Sequence, residues 1–252
     1  MRAIVQNAYG STEVLRLAEI ERPEIAANEV VVQVRAAGVD RGTWHLMMGQ
    51  PYLIRILGFA FRRPKNPVPG REVAGTVVEV GSAVSRFKPG DEVCGISRGS
   101  FAEYAAARED KLDHKPANLS FEQAAVVPIS ALTALQGLRD AGRVQSGQKV
   151  LIIGASGGVG IYAVQLAKDF GAEVTGVCST AKVELVRSIG ADHVIDYTRE
   201  DFADGSHRYD LILDIGGNSR LSRLRRVAEA RFRSLQTTLN TWQTSSGLEC
   251  SC

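Results

Sequence analysis

The sequence predicts an α/β protein made of a β-barrel-like region followed by a doubly wound parallel sheet. Short β-branched segments separated by glycine and proline dominate up to about residue 110, as is typical of a barrel. Strand and helix patterns alternate after residue 149, and a glycine-rich loop joins the first of these strands to a helix. The 252 residues correspond to between one and two domains at about 150 residues each.

The composition is that of a globular protein with a core of its own. Hydrophobic residues make up 44% and charged residues 23% of the chain, so neither metal nor disulfides are needed for folding. Thirty basic against 28 acidic residues leave a net charge of +2, which predicts no nucleic-acid surface. No apolar run has the length of a membrane span, and the N-terminus does not resemble a signal peptide. The four cysteines show no disulfide or metal-site spacing, so a cytoplasmic enzyme is expected.

Four strands are predicted in the first region, each rich in β-branched or small apolar residues and bounded by turn residues. They are Val30–Ala36, Val73–Val80, Asp91–Gly95 and Phe101–Ala105. The segment from Tyr52 to Arg63 is apolar with interleaved arginines. Its spacing favours a packed surface helix, and the alternatives are a lid or a helix that touches a membrane.

The second region begins with a helix start at Ser120, because Gln123 completes a capping box. This helix is predicted to reach about Arg139, with an interruption at Pro128. Alternating elements follow, as a doubly wound sheet requires. They are a strand over Val150–Ile153, a helix over Val159–Phe170, a strand over Val174–Val177, a helix over Ala181–Ser188, and strands over His193–Ile195 and Leu211–Asp214.

The loop from Gly154 to Gly160 has the pattern of a dinucleotide-binding loop, with alanine at its first glycine position. Glycines allow the backbone to approach a pyrophosphate and the helix to pack closely on the strand. An ordinary tight turn is one alternative. Another is the G-x-S-x-G elbow of a serine hydrolase, with Ser156 as nucleophile and Asp192 or Asp201 with His207 as partners. The β-rich region upstream and the additional Gly160 favour the dinucleotide.

The residues after the second strand of this sheet discriminate between cofactors. An NAD site has an acidic residue about 20 positions beyond the glycine loop. Ser179 occupies that place here, followed by Thr180 and Lys182, and no acid is present. Hydroxyls and a cation suit a 2′-phosphate, so NADP is predicted. The alternative is that Ser179 caps the helix after it.

Four segments together resemble the medium-chain dehydrogenase/reductase superfamily. They are Gly70–Val77, Phe87–Val93, Gly154–Gly160 and Gly190–Tyr197. The resemblance implies a GroES-like catalytic domain over residues 1–122, a Rossmann NADP-binding domain over residues 123–233 and an atypical tail over residues 234–252. It also implies a substrate cleft between the two domains.

The resemblance points to the zinc-free, quinone oxidoreductase-like branch of that superfamily. Zinc alcohol dehydrogenases carry a cysteine ligand where Asp40 stands and a histidine ligand where Arg71 stands. Arginine does not ligate zinc, so no metal site is expected. Without a Lewis acid, the implied substrate is an activated one, a quinone or an α,β-unsaturated carbonyl, and the implied reaction is NADPH-dependent hydride transfer.

The resemblance also assigns site residues. Asp40, His45 and Tyr52 correspond to positions that line the substrate cleft of the family, although for each a plain surface or hydrogen-bonding role is the alternative. The expected cofactor-binding residues are Thr133 beside the nicotinamide, Ser156, Gly157, Gly158 and Val159 at the pyrophosphate, and Ser179, Lys182 and Tyr197 at the 2′-phosphate.

The resemblance fades after Arg226, where the family continues with further sheet strands. We therefore expect a truncated or altered member of the family with an incomplete Rossmann domain. NADP binding is expected to survive, whereas turnover and the homodimer formed through the sheet edge are expected to be impaired. A non-catalytic NADP-binding remnant is the alternative function.

Overall fold

A computed structural model describes residues 1–50, 52, 55 and 63–229 of the chain. These residues form two compact units, with the division after Ile129. The predicted division lay seven residues earlier, after Glu122. Within the described ranges, no helix has both the length and the apolar composition needed to cross a membrane. The predicted helix from Tyr52 to Arg63 lies almost entirely outside those ranges, and the predicted tail from residue 234 lies entirely outside them.

The first unit is built on antiparallel β-structure. Its five-stranded sheet has the order β6-β3-β4-β5-β7, and β1 and β2 pair separately. The strands are β1 (Arg2–Val5), β2 (Arg16–Glu19), β3 (Glu29–Ala37), β4 (Glu72–Val80), β5 (Glu92–Ile96), β6 (Tyr104–Arg108) and β7 (Leu112–His114). The predicted strand over Phe101–Ala105 lies three residues too early, since pairing with β3 begins at Tyr104.

Valines from the central strands form the core of this unit, because alternate side chains of β3, β4 and β5 point to one face. Val30, Val32, Val73 and Val93 have no solvent exposure. Two helices accompany the sheet, α1 (Arg41–Met48) and α2 (Phe121–Ala124). The capping box at the start of α2 is confirmed, since Ser120 and Gln123 exchange both bonds.

The second unit holds a parallel sheet of order β10-β9-β8-β11. Counted within the unit, this is the order 3-2-1-4 of the first four strands of a dinucleotide-binding sheet. The elements are α3 (Pro128–Leu135), which crosses the division between the units, β8 (Lys149–Ile153), α4 (Gly158–Asp169), β9 (Glu173–Cys178), α5 (Val183–Ser188), β10 (His193–Asp196), β11 (Leu211–Asp214) and α6 (Leu221–Val227). Pro128 begins α3 rather than interrupting a longer helix, because proline suits a first helical turn.

Strands β8, β9 and β11 are largely buried on both faces, as their continuous apolar runs predict, whereas the edge strand β10 is partly exposed. Helix α4 packs on this sheet through Gly160, Ala163, Val164 and Ala167, which recur at helical spacing and are fully buried. The sheet order reverses between β8 and β11, and in open parallel sheets ligands bind at the carboxyl ends of the strands at such a point. The glycine loop leaves β8 at that end.

Candidate functional site

The glycine loop connects β8 to α4 in one defined conformation. Gly154 has a φ of +86°, which favours glycine. The amides of Gly154 and Ala155 both donate to the Val177 carbonyl at 3.1 Å, and the amide of Gly157 donates to the Gly154 carbonyl at 3.0 Å. The loop is therefore anchored to the end of the neighbouring strand β9.

The glycines of this loop are needed for different reasons. A Cβ atom on Gly160 would lie 2.1 Å from the Gly154 carbonyl oxygen, so only glycine lets α4 pack this closely on the loop. A Cβ on Gly157 or Gly158 would meet its nearest neighbour at 3.3 Å. These two residues are exposed and leave the start of α4 open.

This open end of α4 can hold an anion. The first amides of a helix have no acceptor within the helix, and the helix dipole favours negative charge there. Ser156, Gly157, Gly158 and Val159, the residues predicted to hold the pyrophosphate, all lie at this end. The residues present therefore fit the diphosphate group of a dinucleotide.

Sequence reasoning missed Ser130, which lies beside the same loop. Its hydroxyl is buried, and Oγ lies 3.3 Å from the position that a Cβ on Gly158 would take. Ser130 belongs to the first turn of α3, and the predicted nicotinamide residue Thr133 follows it on the same helix. A serine at a helix start is common, so the sequence carried no signal that singled it out.

The three residues predicted for the 2′-phosphate lie together at the ends of β9 and β10. Ser179 directly follows β9, and Tyr197 follows β10, where its amide donates to the Cys178 carbonyl at 3.1 Å. The amide of Lys182 donates to the Ser179 carbonyl at 2.9 Å, and the side chains of Lys182 and Tyr197 are exposed. Ser179 precedes a 3-10 turn but makes no side-chain capping bond, so capping does not use its hydroxyl.

One acid, Asp196, stands near this cluster. Its carboxylate accepts from the Thr180 hydroxyl at 2.5 Å and from the hydroxyl and amide of Thr198 at 2.7 and 3.0 Å. The hydrogen bond from Thr180 lowers the pKa of Asp196, and Arg199 lies 3.6 Å from the same carboxylate. The charge of Asp196 is thus balanced by partners close to it in the sequence.

The residues predicted to face a substrate lie in the first unit. Asp40 begins α1 and accepts from the Thr43 amide at 2.5 Å, so its side chain caps the helix. His45 lies on α1, with its ring edge-on to Trp44 at a centroid distance of 5.0 Å. Tyr52 is 68% exposed, and the Arg55 guanidinium lies 4.8 Å from its ring centroid.

His45 has a partly buried ring with an unusual feature. Its Nδ1 atom is buried and has no hydrogen-bond partner. Burial lowers the pKa of His45, and the charge of the nearby Arg41 lowers it further, whereas a hydrogen bond to the Gln50 backbone and the charge of Asp40 raise it less strongly. The ring is therefore neutral at pH 7. An unpaired buried N–H is rarer than an unpaired acceptor, so we infer that the proton is on Nε2.

Arg71, at the position of a zinc ligand in the zinc enzymes, carries a buried guanidinium that interacts with Asp40 and Glu72. Burial lowers the pKa of Arg71, and the two carboxyl groups oppose this shift. Among the residues that the structure describes, no three histidine, cysteine or acidic side chains are grouped as a metal ion would require.

The structure gives no support to a hydrolase built on Ser156. Asp192 accepts hydrogen bonds from Lys168 and from the Val174 amide. Asp201 accepts from the Ala203 amide and from Arg223. Both acids proposed for a triad are thus engaged by other groups.

Comparisons with known proteins agree with this architecture. Residues 26–117 match the family described as Alcohol dehydrogenase GroES-like domain, and residues 158–224 match the family described as Zinc-binding dehydrogenase. The chain is 39% identical over 233 residues to 2-methylene-furan-3-one reductase from Solanum lycopersicum, with 86% of this chain and 57% of that protein covered. It is 40% identical over 233 residues to the chloroplastic NADPH-dependent alkenal/one oxidoreductase of Arabidopsis thaliana, with 86% and 58% covered.

A solved structure shows the same likeness. The quinone oxidoreductase from Coxiella burnetii superposes with a TM-score of 0.78 at 34% identity, covering 85% of this chain and 68% of that one. The chain spans 57 to 58% of the length of the two plant relatives. With its GroES-like and Rossmann domains, the chain belongs to the medium-chain dehydrogenase/reductase superfamily, in the quinone oxidoreductase-like branch.

Proposed function

We propose that the protein is an NADPH-dependent oxidoreductase that reduces a quinone or an α,β-unsaturated carbonyl without a metal ion. The observation that carries the proposal is the paired site in the second unit: open helix amides for a diphosphate and a hydroxyl-and-lysine cluster for a 2′-phosphate. The names of the plant relatives and of the Coxiella enzyme support the choice of substrate class.

In this proposal the second unit holds the cofactor. When bound, NADPH supplies the hydride. The amides at the start of α4 bind its diphosphate, and Ser179, Lys182 and Tyr197 bind its 2′-phosphate through a hydroxyl, a cation and a phenol. Thr133 and Ser130 on α3 orient the nicotinamide end.

The first unit supplies the group that stabilises the reduced acceptor. A carbonyl oxygen gains negative charge when the conjugated system accepts a hydride, and a hydrogen-bond donor placed there lowers the barrier. We assign this donor to the neutral ring of His45, whose N–H would exchange its hydrogen bond to the Gln50 backbone for one to the acceptor oxygen. Asp40 holds the start of α1 by capping it, and Tyr52 offers an exposed aromatic face for a flat acceptor.

The test of the proposed function follows NADPH absorbance with a panel of quinones and enones. We expect saturable, acceptor-dependent NADPH oxidation. Saturable NADPH binding without oxidation of any acceptor would contradict the proposal and support a non-catalytic cofactor-binding protein. Purified protein treated with a chelator should keep its activity, because no step uses a metal.

Lys182→Ala is expected to raise the Kd for NADPH about tenfold and the Kd for NADH less than twofold. The reason is that one charge-assisted hydrogen bond to a phosphate contributes roughly 1.5–3 kcal/mol and NADH has no 2′-phosphate. Fluorescence titration with each cofactor measures both constants. Lys149→Ala is the control, since this lysine lies at the opposite end of β8. Equal losses for the two cofactors would refute the assignment.

His45→Phe is expected to lower kcat roughly 100-fold, at the lower end of the range for a positioned proton donor, while the Kd for NADPH stays unchanged. The change also removes the hydrogen bond between the His45 ring and the Gln50 backbone, so thermal unfolding of the variant is compared with that of wild type. Steady-state kinetics with a quinone measure the effect. His114→Phe serves as the control, because His114 lies on β7. A kcat within threefold of wild type would exclude His45 as the donor.

A cytoplasmic location is also proposed, because Cys178 is a buried free thiol, which suits a reducing compartment. Impaired formation of a homodimer through the edge of the parallel sheet stays a prediction, and size-exclusion chromatography with light scattering tests it.

A further inference from the structure

Glu72 is a buried carboxyl group in the first unit to which the proposed reaction assigns no role. It begins β4 and is 2% exposed, and Val73 and Ala74 after it are fully buried. Removing a carboxyl group from water is costly unless specific partners compensate for the lost hydration. The contacts of Glu72 therefore indicate what it does.

One oxygen of Glu72 holds the start of α3. Oε1 accepts from the Ile129 amide at 2.8 Å, and this bond is buried. Ile129 is the last residue of the first unit and lies in the first turn of α3, which also carries Thr133. An amide in the first helical turn has no acceptor within the helix, so Glu72 supplies the one it needs.

The other oxygen packs against the segment that leads to Asp40. A Cβ atom on Gly38 would lie 2.5 Å from Glu72 Oε2 and 2.6 Å from the Ala125 carbonyl oxygen. The amide of Gly38 donates to the backbone carbonyl of Glu72 at 3.3 Å. Two residues later Asp40 caps α1, the helix that carries His45.

The environment of Glu72 places its titration near neutrality. Burial raises its pKa to about 7, and the Ile129 amide and Arg71 oppose this shift while Asp40 adds to it. The elements packed against Glu72 place three other residues beside it, and none of them has a titratable side chain. They are Gly38 from the segment after β3, Ile96 from β5 and Ile129 from α3. Both protonation states are thus populated at pH 7.

We propose that Glu72 is a positioning residue that fixes the segment leading to Asp40 and the backbone amide of Ile129 against each other within the first unit. This inference rests on the proposed function, which places the acceptor-side residue His45 on the helix that Asp40 caps. The ionised carboxylate makes the stronger, charge-assisted bond to the Ile129 amide, so this one contact is firmer above neutral pH, although ionisation of the buried group lowers the stability of the unit as a whole.

The experiment compares wild type, Glu72→Gln, Glu72→Ala and Glu29→Gln in the full chain. Glu29 is the matched control, a buried glutamate of the same sheet that pairs with Arg98 at 2.8 Å. NADPH oxidation with 1,4-naphthoquinone is measured from pH 5.5 to 8.5. We expect kcat/KM of wild type and Glu29→Gln to rise three- to tenfold through about pH 7. Glu72→Gln should show no such rise. The kcat/KM of Glu72→Ala should be at least tenfold lower than that of Glu72→Gln. The Kd for NADPH should stay within twofold of the wild-type value in all three variants.

An unchanged pH profile in Glu72→Gln, or a kcat/KM of Glu72→Ala equal to that of Glu29→Gln, would overturn the inference. If wild type oxidises NADPH with none of the quinones and enones tested, the proposed function fails. The inference about Glu72 is then tested by hydrogen exchange. Peptides containing Ile129 should then exchange faster in Glu72→Ala than in wild type and Glu29→Gln, and equal exchange would refute the role of Glu72. If Glu72→Ala does not fold, the pH profile of kcat/KM in Glu72→Gln tests the inference. If the protein is also inactive, the pH dependence of hydrogen exchange in peptides containing Ile129 is compared between Glu72→Gln and wild type.

Discussion

Gly160→Ala is expected to destabilise the second unit by about 3 kcal/mol or more and to raise the Kd for NADPH over 100-fold. The added methyl group would lie 2.1 Å from the Gly154 carbonyl oxygen and 2.7 Å from the carbonyl carbon and oxygen of Ala155. These are backbone atoms of an anchored loop, so α4 itself has to move, and overpacking of this kind costs 1–3 kcal/mol or more. Circular dichroism during thermal unfolding and NADPH titration measure the two effects.

Gly158→Ala is the matched control for stability. It adds the same methyl group two residues earlier, where the nearest atom is Ser130 Oγ at 3.3 Å. We expect a change of less than about 1 kcal/mol, because alanine favours the helix and the serine hydroxyl can adjust. Equal thermal stability of the two variants would show that close packing of α4 on the loop is not what requires glycine at position 160.

Glu72→Gln is expected to remove a pH dependence of stability that wild type shows between about pH 4.5 and 7. The pKa of Glu72 is raised from 4.5 to about 7, so across this window the folded state keeps a proton that the unfolded state releases. The stability contribution of Glu72 is therefore fully present below pH 4.5 and is lost as the pH rises through 7. Its size is roughly 3 kcal/mol at 1.36 kcal/mol per pH unit.

Urea denaturation at several pH values from 4.5 to 8, followed by Trp44 fluorescence in a Trp242→Phe background, measures this effect in the first unit. The free energy of unfolding of Glu72→Gln relative to wild type should increase with pH by about 3 kcal/mol over that range. Glu29→Gln should show no such trend relative to wild type. A constant difference between Glu72→Gln and wild type at all pH values would mean that Glu72 titrates normally.

Local patterns were the most readable part of the sequence. The capping box at Ser120 and the parallel strands after residue 149 were predicted because each depends on residues close in sequence. Helix α1 was missed, although its end signals are present. Asp40 caps its start, and Gly49 with a φ of +62° ends it. Its buried positions, Thr43 and Met47, form too narrow an apolar pattern to be noticed.

The cofactor side of the candidate site was easier to predict from the sequence than the substrate side. Ser179, Lys182 and Tyr197 could be placed together because parallel strands end at one edge of a sheet, and the structure brings them there. Asp40 was expected to face substrate or to have a plain hydrogen-bonding role, and the structure shows that its carboxylate caps α1. The burial of His45 Nδ1 without a partner depends on side-chain packing, which no sequence pattern reports.

The sequence by itself determined the two-part architecture, the dinucleotide loop and the absence of an acid after β9. These features follow from short-range rules: strand and helix periodicity, glycine at tight turns, and charge next to a phosphate site. Only the tertiary structure decided which glycine is required by packing and what Glu72 does. The amide that Glu72 binds is 57 residues away along the chain, and a glutamate at a strand start is normally solvated. Its burial, and with it the raised pKa, arises only when β4, the Gly38 segment and α3 come together.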